Sequence, residues 1–190
     1  MNDRMGRIHC IHFVGVGGVG MGGIAEVLLN LGYAVQGSDL SPNTVTARLE
    51  SQGARVFRGH DAGNLRDADV VVVSSAVPLS NPEIVEAKRR RVPVVQRAEM
   101  LAELMRFRNA IAIGGTHGKT TTTGLLTHVL READLDPGFL VGGVIVGEER
   151  TAGTGTGPVF CVEGDEYDAA YFDNFAEFMP THGVVAQVAT

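Results

Sequence analysis

The sequence predicts an α/β chain, a doubly wound parallel sheet followed by the start of a second α/β domain. Three observations predict it. Short apolar runs alternate with amphipathic helical stretches along 190 residues, the pattern of parallel sheets covered by helices. Two glycine-rich turns each follow an apolar run and open a helix. Arg106-Phe107-Arg108-Asn109 interrupts the alternation and marks a boundary, giving domains at 1–107 and 108–190.

Residues 8–14 are a short apolar run ending in glycine, a buried parallel strand. Ile24, Val27, Leu28 and Leu31 recur at i, i+3, i+4 and i+7, one helix face, and Gly32 ends it. A second strand at 33–36 closes on Gly37-Ser38-Asp39. Ser41-Pro42-Asn43 starts a helix that carries Val45 and Leu49 and stops near Gly53. Strands follow at 54–57 and at 70–73, the latter all valine. Pro82 opens a helix to about Arg90, and the chain's one basic cluster, Lys88-Arg89-Arg90-Arg91, is its solvated, dipole-compensating end. Pro93 sets the fifth strand, 92–95, near an edge, and 98–105 is helical. Right-handed crossovers make this a doubly wound sheet.

Past the boundary, 110–113 is a strand, and the helix after it turns Leu126, Val129, Leu130 and Ala133 inward. Residues 139–146, 159–162 and 184–188 read as strands, and 151–158 as a flexible glycine-threonine loop.

Composition bounds the partners. Hydrophobic residues make up 44% and charged residues 20%, enough apolar surface for a real core. A net charge of −6 gives no basic surplus for nucleic acid or anionic membrane. No apolar stretch reaches the about 18 residues of a membrane span, and the N-terminus lacks a signal-peptide core. Cys10 and Cys161 sit in strands without metal-ligand spacing, as a reduced, buried pair. A cytoplasmic location is therefore expected.

Gly15-Val16-Gly17-Gly18-Val19-Gly20 fits G-x-G-x-x-G between a strand and a helix. The first glycine makes the turn, the second admits a diphosphate, and the third packs helix on strand. This is the Rossmann-like pattern, with Gly15, Gly17, Gly18, Val19 and Gly20 at the diphosphate. Asp39 ends the next strand, where it either accepts from a ribose hydroxyl or serves as a turn residue. Ser74 and Ser75 end the fourth strand at the edge where such sheets bind ligands, and are candidate substrate contacts.

The second loop, Gly114-Gly115-Thr116-His117-Gly118-Lys119-Thr120, is a shortened P-loop. It reads as an ATP site formed by Gly115, Thr116, His117, Gly118, Lys119, Thr120 and Thr121. Lys119 reaches the β/γ-phosphates and Thr120 ligates Mg²⁺. His117 either touches phosphate or braces the turn. Thr121 suits phosphate contact, whereas packing accounts equally for Thr122 and Thr123. Glu163 ends the strand at 159–162 and leads Glu163-Gly164-Asp165-Glu166-Tyr167-Asp168, so it is the first choice for a second Mg²⁺ ligand. Lys119 and Glu163 are thus the catalytic candidates. His9, His12, His60, His128 and His182 read as strand, turn or helix-surface residues.

Together these motifs resemble the Mur ligase family of peptidoglycan synthesis. Gly15–Gly23, Gly37-Ser38-Asp39, VVSSA at 72–76, Asn81-Pro82-Glu83, RAEMLAEL at 97–104 and GTHGKTTTT at 115–123 carry the resemblance. It runs over nearly all of residues 7–135 and is nearest to members that add L-alanine to UDP-N-acetylmuramate. From about Phe139 the likeness shifts toward members that join a tripeptide to that sugar, with Tyr167 where the alanine-adding members carry serine. The resemblance implies a Rossmann-like UDP-sugar domain and roughly the first third of a central ATPase domain. It implies ATP-dependent amide formation through an acyl phosphate, with the UDP diphosphate at 17–20 and Asp39 near the uridine. Two alternatives stand beside it: a nicotinamide-dependent oxidoreductase, suggested by the first loop alone, and an inactive UDP-sugar- and ATP-binding fragment.

Overall fold

The computed structural model describes residues 5–106, 108–143, 150–164 and 184–187. The chain divides into two compact units, Met1–Met100 and Leu101–Thr190. The division falls inside the helix that precedes the expected boundary at 107/108.

The first unit carries β1 (Cys10–Val14), α1 (Val19–Asn30), β2 (Ala34–Asp39), α2 (Thr44–Ser51), β3 (Arg55–Arg58), β4 (Val70–Val73), α3 (Pro82–Arg90) and β5 (Val94–Gln96). Its sheet has the order β3-β2-β1-β4-β5, and every pair is parallel. The order reverses between β1 and β4, and such a switch point opens a crevice at the carboxyl ends of the strands. Central strands are apolar on both faces: all four valines of β4 are buried. β5 is the edge that Pro93 foretold. Pro93, with no N–H, still accepts at its carbonyl from the Val71 N–H at 2.9 Å.

Helix starts are encoded locally. Asn43 caps α2 in a capping box with Thr46, and Asn81 caps α3 with Pro82 at its first position. The basic cluster lies in the last turn of α3, where Arg89 pairs with Glu86 and Arg90 donates to the Arg66 carbonyl. All residues from Met21 to Leu28 in α1 are buried, a wider burial than the single face read from sequence. One of them is Glu26, paired with Arg48 Nε at 3.2 Å and accepting from Gln52 Nε2 at 2.9 Å, both on the α2 side.

α4 (Arg97–Met105) leads into the second unit, which holds β6 (Asn109–Gly114), α5 (Lys119–Glu132), β7 (Gly138–Leu140), β8 (Ala152–Gly153), β9 (Val159–Glu163) and β10 (Val184–Gln187). The order is β10-β6-β9-β7-β8, parallel except for β8, which pairs antiparallel with β7. The glycine-threonine stretch at 151–158 therefore contains a short strand. The strand expected at 139–146 is β7, and residues 144–149 lie outside the described residues.

The inner face of α5 differs from expectation. Thr123 and Thr127 are buried, and Leu126 and Leu130 pack on Phe139, Val141 and Cys161. Val129 is 60% exposed and Ala133 is exposed. The Thr127 hydroxyl donates to the Thr123 carbonyl at 2.8 Å, which satisfies that polar group inside the unit. Both cysteines are free; Cys161 is buried, but Cys10 only half so. Burial pushes both thiols above their ordinary pKa.

Candidate functional site

In the first unit the glycine loop is held from beneath. Gly15 has φ +81°, the left-handed turn that glycine tolerates. The Gly15 and Val16 N–H groups both donate to the Ser38 carbonyl, at 2.8 and 3.0 Å. The Gly17 N–H donates to Asp39 Oδ2 at 2.8 Å, and the Gly17 carbonyl accepts from Asn43 Nδ2 at 3.0 Å. A Cβ on Gly17 would lie 2.6 Å from Asn43 Nδ2 and 2.8 Å from Asp39 Oδ2. The second glycine thus makes room for two side chains of the β2–α2 turn, and Asp39 fastens the loop. Gly18 starts α1 without a side-chain cap, and no acid stands in the first turn. The N–H groups of Val19 and Gly20 have no partner one turn earlier in the helix, the geometry with which a helix N-terminus can receive an anion.

The third glycine differs from its expected role. A Cβ on Gly20 would lie 2.4 Å from Arg97 Nη1, so this glycine faces an arginine and not a strand. Close helix packing falls to Gly22, whose Cβ would lie 2.1 Å from Val45 Cγ1 of α2. Beside Asp39, a cavity of about 70 Å³ is lined by Pro42, Thr46, Val56, Phe57 and Arg58. Ser74 and Ser75 sit at the carboxyl end of β4, half-buried and exposed.

A buried polar cluster lies under this edge. Glu83, in the first turn of α3, is fully buried and accepts from the Ser38 hydroxyl at 2.6 Å and Asn64 Nδ2 at 2.7 Å. His60 Nδ1 stands 3.1 Å from Glu83 Oε2, and the buried His12 Nε2 3.6 Å from Oε1. Burial pushes the Glu83 carboxyl up, but the His12 ring and the Ser38 and Asn64 hydrogen bonds outweigh it and hold it below the ordinary carboxylate range. Ser38 links this cluster to the glycine loop through its carbonyl. Sequence reading missed the cluster. Its only local signal was an acid placed directly after a helix-opening Asn-Pro.

In the second unit the P-loop joins β6 to α5. Gly118 takes φ 77° as the residue before the helix. Lys119 Nζ donates to the Gly115 carbonyl. Thr116, His117, Thr120 and Thr121 are exposed on the loop and the first turn. His117 makes no hydrogen bond among the described residues. Pairing of β6 with β9 sets Ile113 opposite Glu163, which brings the carboxylate to the mouth of the P-loop. Glu163 Oε1 accepts from the Gly142 N–H at 2.9 Å, and a Cβ on Gly143 would lie 3.0 Å from Thr120 Cγ2. Gly142 and Gly143 therefore run as bare backbone between Thr120 and Glu163. Sequence reading did not single them out, although the double glycine after an apolar strand was their signal. It is the Thr120 methyl that faces Gly143, and Glu163 gives one carboxylate oxygen to the Gly142 N–H. Among the described residues no group of three His, Cys, Asp or Glu could hold a metal ion. Asp165, Glu166, Tyr167, Asp168 and His182 lie outside the described residues.

A family model described as "Mur ligase family, catalytic domain" matches residues 10–109. A UDP-N-acetylmuramate–L-alanine ligase of Acidithiobacillus ferrooxidans is 58% identical over 161 residues, 85% of this chain and 35% of the relative. One from Burkholderia cenocepacia is 54% identical over 183 residues, 91% of this chain and 39% of the relative. The chain thus spans a little over a third of the length of the curated relatives it matches. Among solved structures, the UDP-N-acetylmuramate:L-alanyl-γ-D-glutamyl-meso-diaminopimelate ligase from Neisseria meningitides superposes with a TM-score of 0.80 at 33% identity, over 96% of this chain and 61% of that one. A UDP-N-acetylmuramate-alanine ligase from Thermotoga maritima gives a TM-score of 0.78 at 28% identity, over 96% and 49%.

Proposed function

The chain belongs to the Mur ligase family, and from that premise we propose that it supplies the UDP-sugar-binding unit and the P-loop of an ATP-dependent ligase that joins L-alanine to UDP-N-acetylmuramate. The observation that carries this reading is the β6–β9 register, which sets Glu163 beside a loop that ends in Lys119 and Thr120. A nicotinamide-dependent oxidoreductase has no use for that arrangement. The identity of 54–58% to alanine-adding relatives favours L-alanine over a tripeptide as the incoming amine.

The UDP diphosphate meets the first turn of α1 at Val19 and Gly20, and the uridine lies toward Asp39 and its cavity. The sugar's lactyl carboxylate attacks the γ-phosphorus of ATP, ADP leaves, and an acyl phosphate forms. The amine then attacks the acyl carbon and expels phosphate. Lys119 offsets the charge that builds on the transferring phosphoryl group. Thr120 and Glu163 would hold Mg²⁺, which when bound supplies further charge neutralisation. The reaction belongs in the cytoplasm, where ATP is available. No helix among the described residues is long and apolar enough to cross a membrane.

The test is phosphate release by the full-length protein given ATP, Mg²⁺, UDP-N-acetylmuramate and either amine. Release with L-alanine is expected; release with the tripeptide alone would overturn the amine assignment, and release with neither would overturn the ligase reading. Lys119→Ala should abolish release and leave UDP-sugar binding unchanged, because the two loops lie in different units. Loss of both would contradict that division.

A further inference from the structure

We propose that Arg97 binds the substrate's diphosphate, closing the anion seat that the first turn of α1 opens. Arg97 takes this role on the UDP-sugar reading of the glycine loop. It is the first residue of α4 and follows directly on β5, so it leaves the sheet at the same carboxyl edge as that loop. β4 lies between β5 and β1, and neighbouring strands are about 4.8 Å apart. Ser74 and Ser75 stand at the carboxyl end of that intervening strand. The Arg97 guanidinium ends against Gly20, where a Cβ would come within 2.4 Å of Nη1. The glycine is what admits it.

The electrostatics explain what such a placement is for. The N-terminus of α1 carries partial positive charge, and α1 has neither an acid in its first turn nor a side-chain cap. A guanidinium beside it adds like charge. A phosphoryl group between the two reverses the sign of both interactions: it accepts from the Val19 and Gly20 N–H groups on one side and from the planar fork on the other. The guanidinium has five N–H donors, so it keeps its other partners while facing phosphate. RAEMLAEL at 97–104 thereby gains a function that neither nucleotide loop gave it.

The experiment titrates UDP and UDP-N-acetylmuramate into the full-length protein by calorimetry, with ATP affinity and thermal melting as controls. Arg97→Ala should weaken UDP binding by about 10- to 100-fold, the scale of a hydrogen bond to a charged group. ATP affinity and melting should hold. Arg97→Lys, which keeps the charge and loses the fork, should fall between. Gly20→Ala should weaken UDP binding by displacing the guanidinium, and should add little once Arg97 is alanine. An Arg97→Ala protein within about twofold of wild type for UDP would sink the assignment. So would parallel loss of UDP and ATP affinity, or losses from the two substitutions that simply multiply. A wild-type protein that binds neither UDP nor the UDP-sugar would instead overturn the underlying reading of the loop.

Discussion

Glu83 shows what a single residue does here. A carboxylate out of contact with water is stable only where hydrogen bonds and polar partners replace its hydration. Ser38, Asn64, His60 and His12 do that from β2, β1 and the segment after β3. The folded-state pKa of Glu83 is depressed, so its contribution is complete above the ordinary glutamate value of about 4.3. It is lost as pH falls through the lower folded value. Glu83→Gln should therefore cost about 1–3 kcal/mol near neutrality, and less in acid well below the ordinary glutamate value, where the stabilisation from the ionised form is being lost. Urea melts at the two pH values check this; equal losses would show that the ionised form is not the stabilising one. Lys119, Thr120 and Glu163 could be singled out as candidates from the sequence because each belongs to a local loop or strand-end pattern. Glu83 and Arg97 could not be, because their partners stand tens of residues away and only the folded sheet edge brings them together.

At the scale of elements, the edge strand and helix starts were legible because proline, asparagine and glycine act on their own neighbours. Pro93 marked the edge strand, and Pro82 and Asn43 marked helix starts. The inner face of α5 was not. Its apolar residues suggest 126, 129, 130 and 133, yet the P-loop fixes how the helix leaves the sheet and turns 123, 126, 127 and 130 inward. Leu130→Ala, which removes packing on Phe139 and Val141, should destabilise the second unit by about 1–3 kcal/mol. Val129→Ala should stay within about 0.5 kcal/mol. Denaturant melts of the two variants decide the face, and a reversed ranking would restore the sequence-based one. The α1–α2 contact has an equally direct probe. Gly22→Ala puts a methyl 2.1 Å from Val45 Cγ1 and 3.2 Å from the Val16 carbonyl. Overpacking of about 1–3 kcal/mol should follow, outweighing the helix propensity that alanine gains. Val45→Ala should relieve most of it.

At the scale of the whole molecule, each loop sits on a sheet formed by strands of its own unit. β1 to β5 form one five-stranded sheet around the glycine loop, and β6 to β10 another around the P-loop. A ligand stabilises the unit it binds and leaves the other's unfolding equilibrium alone, unless the two units unfold together. At about 100 times its Kd, a ligand that binds only the folded unit slows amide exchange through that unit's unfolding by about 100-fold. UDP-N-acetylmuramate should therefore protect amides of β1, α1 and β2 in the full-length protein, and ATP with Mg²⁺ should protect those of β6, α5 and β9. Lys119→Ala should erase the second pattern and keep the first. Exchange read by mass spectrometry separates the cases. If either ligand slowed both sets equally, the two units would be a single cooperative body, and the separate roles given to Lys119 and to the glycine loop would have to be merged.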